Sequence, residues 1–215
     1  MVFRLDDDLW FPDPHLGESD GLIAVGGDLS TSRLLLAYCN GIFPWYSFEY
    51  HSEPLWYCPL NRFVIFPEEI HISHSMRSFM NQTTYAVTFN KDFEGVIHGC
   101  SEGRINEPGA WLGADIIKAY TALHDLGYAM SVEVWDENEL VGGLYGVTIN
   151  NCFIGESMFS RVSNASKLAL IRLSGAYSHL HPSFIDCQFE TAHLKSLGGR
   201  YISYDEYMKI LKCHQ

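Results

Sequence analysis

The chain has 215 residues, 47% of them hydrophobic and 14% aromatic, enough to bury one large core with a smaller annex, and this composition excludes a disordered chain. Its formal net charge of −12 excludes a protein that coats nucleic acid by charge alone and suits an acidic cavity that attracts a cationic substrate. No apolar run approaches the roughly 18 residues of a membrane span, and the acidic start "MVFRLDDDLWFPDP" lacks the features of a signal peptide, so a soluble cytoplasmic protein with no membrane contact is expected.

In chain order, residues 1–60 are rich in Pro, Gly, Asp and aromatics and contain one clear helix, Thr31 to Cys39, with Ser30 as its N-cap. "GIFPWYS" reads as an aromatic loop, and a strand at Phe63 to Phe66 opens the main domain, 61–215. Helices are expected at Ser75 to Asn81 and Asp92 to Gly99, with a strand at Tyr85 to Phe89 between them. Asp115 to Leu126 is amphipathic and ends at Gly127. "MSVEVWDENELVGGLYGVTINNCFIGESMF" reads as three antiparallel strands turning at Asp136-Glu137-Asn138 and Asn150-Asn151. A helix at Ala165 to Leu180, a strand over 184–189 and a helix at Tyr204 to Lys212 complete an α+β order.

Three features converge at the end of this sheet. "GESMFS" carries an acid, Glu156, in apolar surroundings; "SNASK" opens a helix, with Ser163 or Asn164 as cap and free N–H groups suited to an anion; "FIDCQFE" places Asp186 and Gln188 two apart, on one face of an apolar strand. Burying a carboxylate there costs several kcal/mol unless it is paired, so each acid serves either a backbone contact or a reaction. Leu170, Leu173 and Tyr177 share a helix face that, with Ile185 and Leu144, would wall an apolar pocket; the same stripe is equally the ordinary buried face of a core helix. Cys187 alternates with its neighbours and is expected to pack on the opposite side. The six cysteines are dispersed without a C-x-x-C pair and read as reduced. His71-x-x-His74 lacks a third metal ligand at a telling spacing, no nucleotide-phosphate loop is present, and no Ser or Cys nucleophile stands near a base.

"GLIAVGGDLS", "GIFPW", "SVEVWDENELVGGLYGV", "GESMFSRVSNASK" and "IDCQ" together resemble the leucyl/phenylalanyl-tRNA–protein transferase family over nearly the whole chain. The resemblance implies an enzyme that moves Leu or Phe, and secondarily Met, from aminoacyl-tRNA to proteins beginning with Arg or Lys, marking them for degradation. It implies a monomer without cofactor or metal, with an N-acetyltransferase-like (GNAT-type) main domain and a small N-terminal α/β annex. By resemblance, Asp186 and Gln188 are the catalytic pair, and Glu156 with Asp186 meets the acceptor. Leu144, Leu170, Leu173, Tyr177 and Ile185 form the side-chain pocket, and Trp45 and Trp111 stack on the terminal adenosine. Where the family carries basic residues near "HISHSMRSF", this chain offers a thin strip of Arg62, Arg77 and Lys91, so transfer is expected to fall steeply with salt. Two other readings share parts of this site: a coenzyme A-dependent N-acetyltransferase, whose pyrophosphate loop is missing here, and a non-catalytic module for N-terminal Arg or Lys.

Overall fold

The computed structural model describes residues 1–45, 53–102 and 113–212. Strands β1 (Phe3–Leu5) and β2 (Leu22–Gly26), helix α1 (Thr31–Cys39), and strands β3 (Phe43–Trp45) and β4 (Leu55–Tyr57) make the first unit, a four-stranded sheet in the order β1-β2-β4-β3. Ser30 starts α1 as expected, its hydroxyl accepting from the Arg33 backbone N–H at 3.3 Å.

The chain continues through β5 (Asn61–Ile65), α2 (His74–Gln82), β6 (Ala86–Phe89), α3 (Phe93–Glu102), α4 (Ala114–Asp125) and the meander β7 (Ala129–Asp136), β8 (Glu139–Ile149) and β9 (Cys152–Ser160). It ends with α5 (Ala165–Tyr177), β10 (Ile185–Gln188), α6 (Ala192–Ser196), β11 (Arg200–Ser203) and α7 (Tyr204–Leu211). The expected turns are where the backbone reverses: Glu137 and Asn150 take φ of 53° and 52°, and Gly127 follows α4 at 81°. The seven-stranded sheet has the order β11-β5-β10-β9-β8-β7-β6. Among the described residues, β9 and β10 are its parallel pair and the other pairings are antiparallel.

Strand alternation sorts the sheet's side chains into two cores. Phe63, Ile65, Leu144, Phe153 and Ile185 join Leu168, Leu170 and Leu173 of α5 on one face. Val64, Tyr145, Ile154 and Phe184 join α3, α4, α7 and the first unit on the other, so the small sheet and the large one share a continuous core.

Candidate active site

The parallel pair is matched at only two positions, Ile185 with Phe153 and Asp186 with Ile154, after which β9 runs on to Ser160 and β10 stops. The gap opens a cavity of about 340 Å³. Because it sits where the strands part, it draws its wall from both faces of the sheet. Leu144, Phe153, Leu170, Ile185 and Leu194 come from the α5 side, while Tyr145, Glu156 and Asp186 come from the side of the first unit. Gln188, Cys187, Met158, Ser157, Thr191 and His193 also line it, and Trp45 and Phe189 stand edge to face, 6.1 Å between centroids, as its aromatic wall.

Asp186 is fully buried. Its Oδ2 accepts from Arg62 Nε at 3.0 Å and from the Tyr207 hydroxyl at 2.9 Å, and its Oδ1 accepts from the backbone N–H of Gln188 at 2.8 Å. Burial pulls the Arg62 guanidinium down, but the Asp186 charge beside it more than restores it, so Arg62 stays protonated. Arg62 thus belongs to the site; the exposed basic strip expected from the sequence loses it, because the side chain is only 2% exposed. Arg77 turns back to the Ile72 carbonyl, and Lys91 lies over the Trp135 ring.

Gln188 reaches the cavity by a bulge. Asp186 pairs with Val64 and Gln188 with the next residue, Phe63, leaving Cys187 as the extra residue, and Gln188 takes a left-handed φ of 63°. Simple alternation therefore does not account for the proximity of Asp186 and Gln188; the bulge, closed by the Asp186 side chain on the Gln188 N–H, does. Gln188 Nε2 donates to the Gly155 carbonyl at 3.1 Å, across the gap between the strands. Its partner is a carbonyl, which fixes the amide orientation and leaves Oε1 to accept. Cys187 packs with the α5-side cluster, and burial, more than the nearby Asp186 charge, pushes its thiol up.

Glu156 is held by two tyrosines from two different helices: Tyr38 of α1 donates to Oε1 at 2.7 Å and Tyr120 of α4 to Oε2 at 2.9 Å, while the two hydroxyls also contact each other. Burial pushes Glu156 up to about 7, against the opposing pull of the two hydroxyls. The oxygens agree with that direction. With both hydroxyls donating to the carboxylate, neither has a proton left for the contact between them; a proton on Glu156, donated to one tyrosine, would free that hydroxyl to donate to the other.

The structure brings Leu144, Leu170, Ile185, Glu156, Asp186, Gln188 and Trp45 to one cavity. Leu173 and Tyr177 do not line it. They lie deeper in the α5-side core, where the Tyr177 hydroxyl contacts Thr148 at 3.1 Å. Trp111 lies outside the described residues. At the start of α5, Asn164 is the cap, in left-handed conformation at φ 71°, and the Ser166 N–H is already taken by Ser160 Oγ at 2.8 Å. Sequence reasoning missed Tyr38, Tyr120, Arg62, Tyr207, Met158, Phe189 and His193. The signal for Arg62 was a cation inside an apolar strand, "NRFVIF", matching the acid inside "FIDCQF". Ser157 Oγ and His193 Nε2 are buried on this wall and have no hydrogen-bond partner among the described residues, and burial lowers the His193 pKa.

Comparison with known proteins bears on what such a cavity serves. The family model described as leucyl/phenylalanyl-tRNA protein transferase matches residues 64–212, and that of the N-terminal domain of the same family matches 27–60. A leucyl/phenylalanyl-tRNA–protein transferase of Syntrophus aciditrophicus is 50% identical over 94% of this chain and 84% of its own length. That of Flavobacterium psychrophilum is 49% identical over 97% of this chain and 98% of its own, and that of Pseudomonas fluorescens 47% over 97% and 92%. A conserved Bacteroides thetaiotaomicron protein of unknown function is a looser structural likeness, TM-score 0.41 at 10% identity over 80% of this chain and 62% of that one. Two family models covering most of the chain, and relatives near half identity along nearly all of it, place this chain in the leucyl/phenylalanyl-tRNA protein transferase family.

Proposed function

We propose that this chain transfers Leu or Phe, and secondarily Met, from aminoacyl-tRNA to the α-amine of proteins that begin with Arg or Lys. Such a product carries a destabilising N-terminal residue and is marked for degradation in the cytoplasm, where the chain acts as a monomer. The observation that carries this reading is the cavity between β9 and β10, apolar on one side and acid- and amide-bearing on the other.

The chemistry asks little of the protein beyond placement. An aminoacyl ester of tRNA is already activated, and an α-amine with a pKa near 8 is neutral to roughly a tenth at pH 7. The protein must hold that amine about 3 Å from the ester carbonyl and stabilise the charge that develops there. Gln188 Oε1 accepts from the amine and aims its lone pair. Asp186 fixes the bulge that carries Gln188. An amide oxygen is too weak a base to take the proton, which leaves by way of water and the departing ribose hydroxyl. The carbon–nitrogen bond forms, the ester carbon–oxygen bond breaks, and the ribose oxygen ends protonated.

Leu144, Phe153, Leu170 and Ile185 would receive the transferred side chain; Leu173 and Tyr177 back that wall from the core. A pocket of this kind separates apolar side chains by only about 1–3 kcal/mol per methylene, which is why Met is a weaker donor instead of an excluded one. Glu156 and Asp186 stand on the opposite wall, where they would meet a cationic first residue: Arg62 offsets the Asp186 charge, and a cation beside Glu156 would favour its ionised form. Trp45 and Trp111 would stack on the terminal adenosine. The mostly antiparallel seven-stranded sheet with one parallel, parting pair supports an N-acetyltransferase-like main domain over 61–215. The separate four-stranded sheet and separate family match support an annex over 1–60.

The test supplies the protein with labelled Phe-tRNA, or with acetyl-coenzyme A, together with a peptide beginning with Arg. Gain of one Phe on the peptide's α-amine is expected from the tRNA alone. Acetylation of the peptide, or tight peptide binding with no transfer from either donor, would overturn the proposal.

A further inference from the structure

Arg62 is gripped through Nε and Nη2, while its buried Nη1 has no hydrogen-bond partner among the described residues. It lies in β5, and its guanidinium carbon sits 4.8 Å from the Phe43 ring centroid and 4.9 Å from that of Tyr207. Nε donates to Asp186, and Nη2 to the Gly41 carbonyl. Three parts of the chain converge on it: the first unit through Gly41 and Phe43, the last helix through Tyr207, and the reaction cavity through Asp186. A buried ion pair is a weak source of stability, because an apolar pair of the same shape usually serves as well or better. Its presence one residue pair away from the bulge at Gln188 asks for a role in the site.

The contacts around Asp186 supply one. Its Oδ1 closes the bulge on the Gln188 N–H, and that geometry holds only while the carboxylate cannot rotate. Arg62 Nε and the Tyr207 hydroxyl both fasten Oδ2, which locks the group about its terminal torsion. We propose that Arg62, with Tyr207, is a positioning residue for the transfer reaction: it clamps Asp186 as a strut that aims the Gln188 amide into the cavity, and Asp186 is not the group that takes the amine's proton. This rests on the function proposed above.

The test is a double-mutant cycle on transfer from Phe-tRNA to an Arg-peptide, with kcat and KM for each substrate separated. Arg62→Gln and Asp186→Asn should each lower kcat by about 10²-fold while leaving the KM for Phe-tRNA within about threefold, and Arg62→Gln should leave that for the peptide within about threefold as well, as expected for groups that act on orientation. Tyr207→Phe should lower kcat by about three- to tenfold. Each of the first two changes strands one buried charge; the double variant Arg62→Gln/Asp186→Asn replaces the ion pair with an amide pair and keeps an oxygen for the Gln188 N–H. It should be at least about tenfold faster than Asp186→Asn alone, a strongly non-additive outcome. Losses that multiply, or a double variant as slow as Asp186→Asn, would overturn the proposal, the latter because a missing proton acceptor is not restored by removing Arg62. If a single variant does not fold, the double variant is compared with wild type, where at least about one tenth of the rate is expected and a rate of about one hundredth or less overturns the clamp. Absence of transfer by wild type would instead sink the underlying function.

Discussion

Replacing Glu156 with Gln should change how the protein's stability depends on pH. The carboxyl is buried, and its pKa rises from 4.5 to about 7. A folded-state value above the unfolded one means that stability is fully present below about pH 4.5 and is lost as pH rises through about 7, because the folded protein must then either hold a buried charge or release it by unfolding. At about 1.4 kcal/mol per pH unit, that rise is worth about 3–4 kcal/mol as an upper bound over the whole range, most of it between pH 5 and pH 8. The amide of Glu156→Gln would keep an acceptor for one tyrosine and a donor for the other, since a hydroxyl rotates to suit, and would not titrate. Relative to this variant, wild type should therefore lose up to about 3 kcal/mol between pH 5 and pH 8, roughly 6–12 °C in Tm for a domain of this size. Thermal unfolding of both proteins across that range measures it. Taking the difference cancels the titration of distant groups; Asp186 and Arg62, whose charges act on Glu156, are common to both. A difference between the proteins that stays flat with pH would refute the argument, and one that grows in wild type's favour would reverse its sign.

Other consequences concern the substrates. Leu170→Trp should fill the apolar side of the cavity and lower transfer of Phe more than of Leu, by about tenfold or more, as competition between labelled Phe-tRNA and Leu-tRNA would report. Trp45→Ala removes the half-buried indole beside Phe189 and should raise the Michaelis constant for aminoacyl-tRNA about tenfold, in line with about 1–3 kcal/mol for stacking on one base, while the constant for the peptide stays put. With Arg62 withdrawn into the interior, transfer should weaken with added salt less steeply than three exposed phosphate contacts would require; a plot of kcat/KM against salt gives the slope.

The parts of this fold that could be read in advance are those where local chemistry and tertiary packing agree. Ser30 caps α1, the Glu137 and Asn150 turns set the meander, and α5 carries its apolar face through Leu170 and Leu173. The first unit was harder. Its strands β1, β3 and β4 are three residues each, with a Pro at the centre of β3, so no alternation has room to appear, and pairing within one sheet is what makes them strands. The site was half legible. Asp186, Gln188 and Glu156 stood out as polar groups in apolar strands. Their partners did not, because Arg62, Tyr38, Tyr120 and Tyr207 lie between 21 and 124 residues away from the acids they hold. The bulge at Cys187 was invisible for a different reason: Gln188, the residue with the left-handed backbone, is of a type that does not favour it, and its conformation is held by the Asp186 carboxylate and the Gly155 carbonyl. Leu173 and Tyr177 illustrate the limit of a helical stripe, which tells which face is buried and not which part of that face meets a cavity.

The most direct measurement is single-turnover formation of the Phe–Arg peptide bond by wild type and by Gln188→Ala, each saturated with Phe-tRNA and an Arg-peptide and each shown to be folded. Loss of about 10²-fold or more in the rate of bond formation, with both substrates still bound, is the predicted result. A Gln188→Ala protein that joins the two at the wild-type rate would contradict the central claim that this amide, held between Asp186 and Gly155, directs the attack.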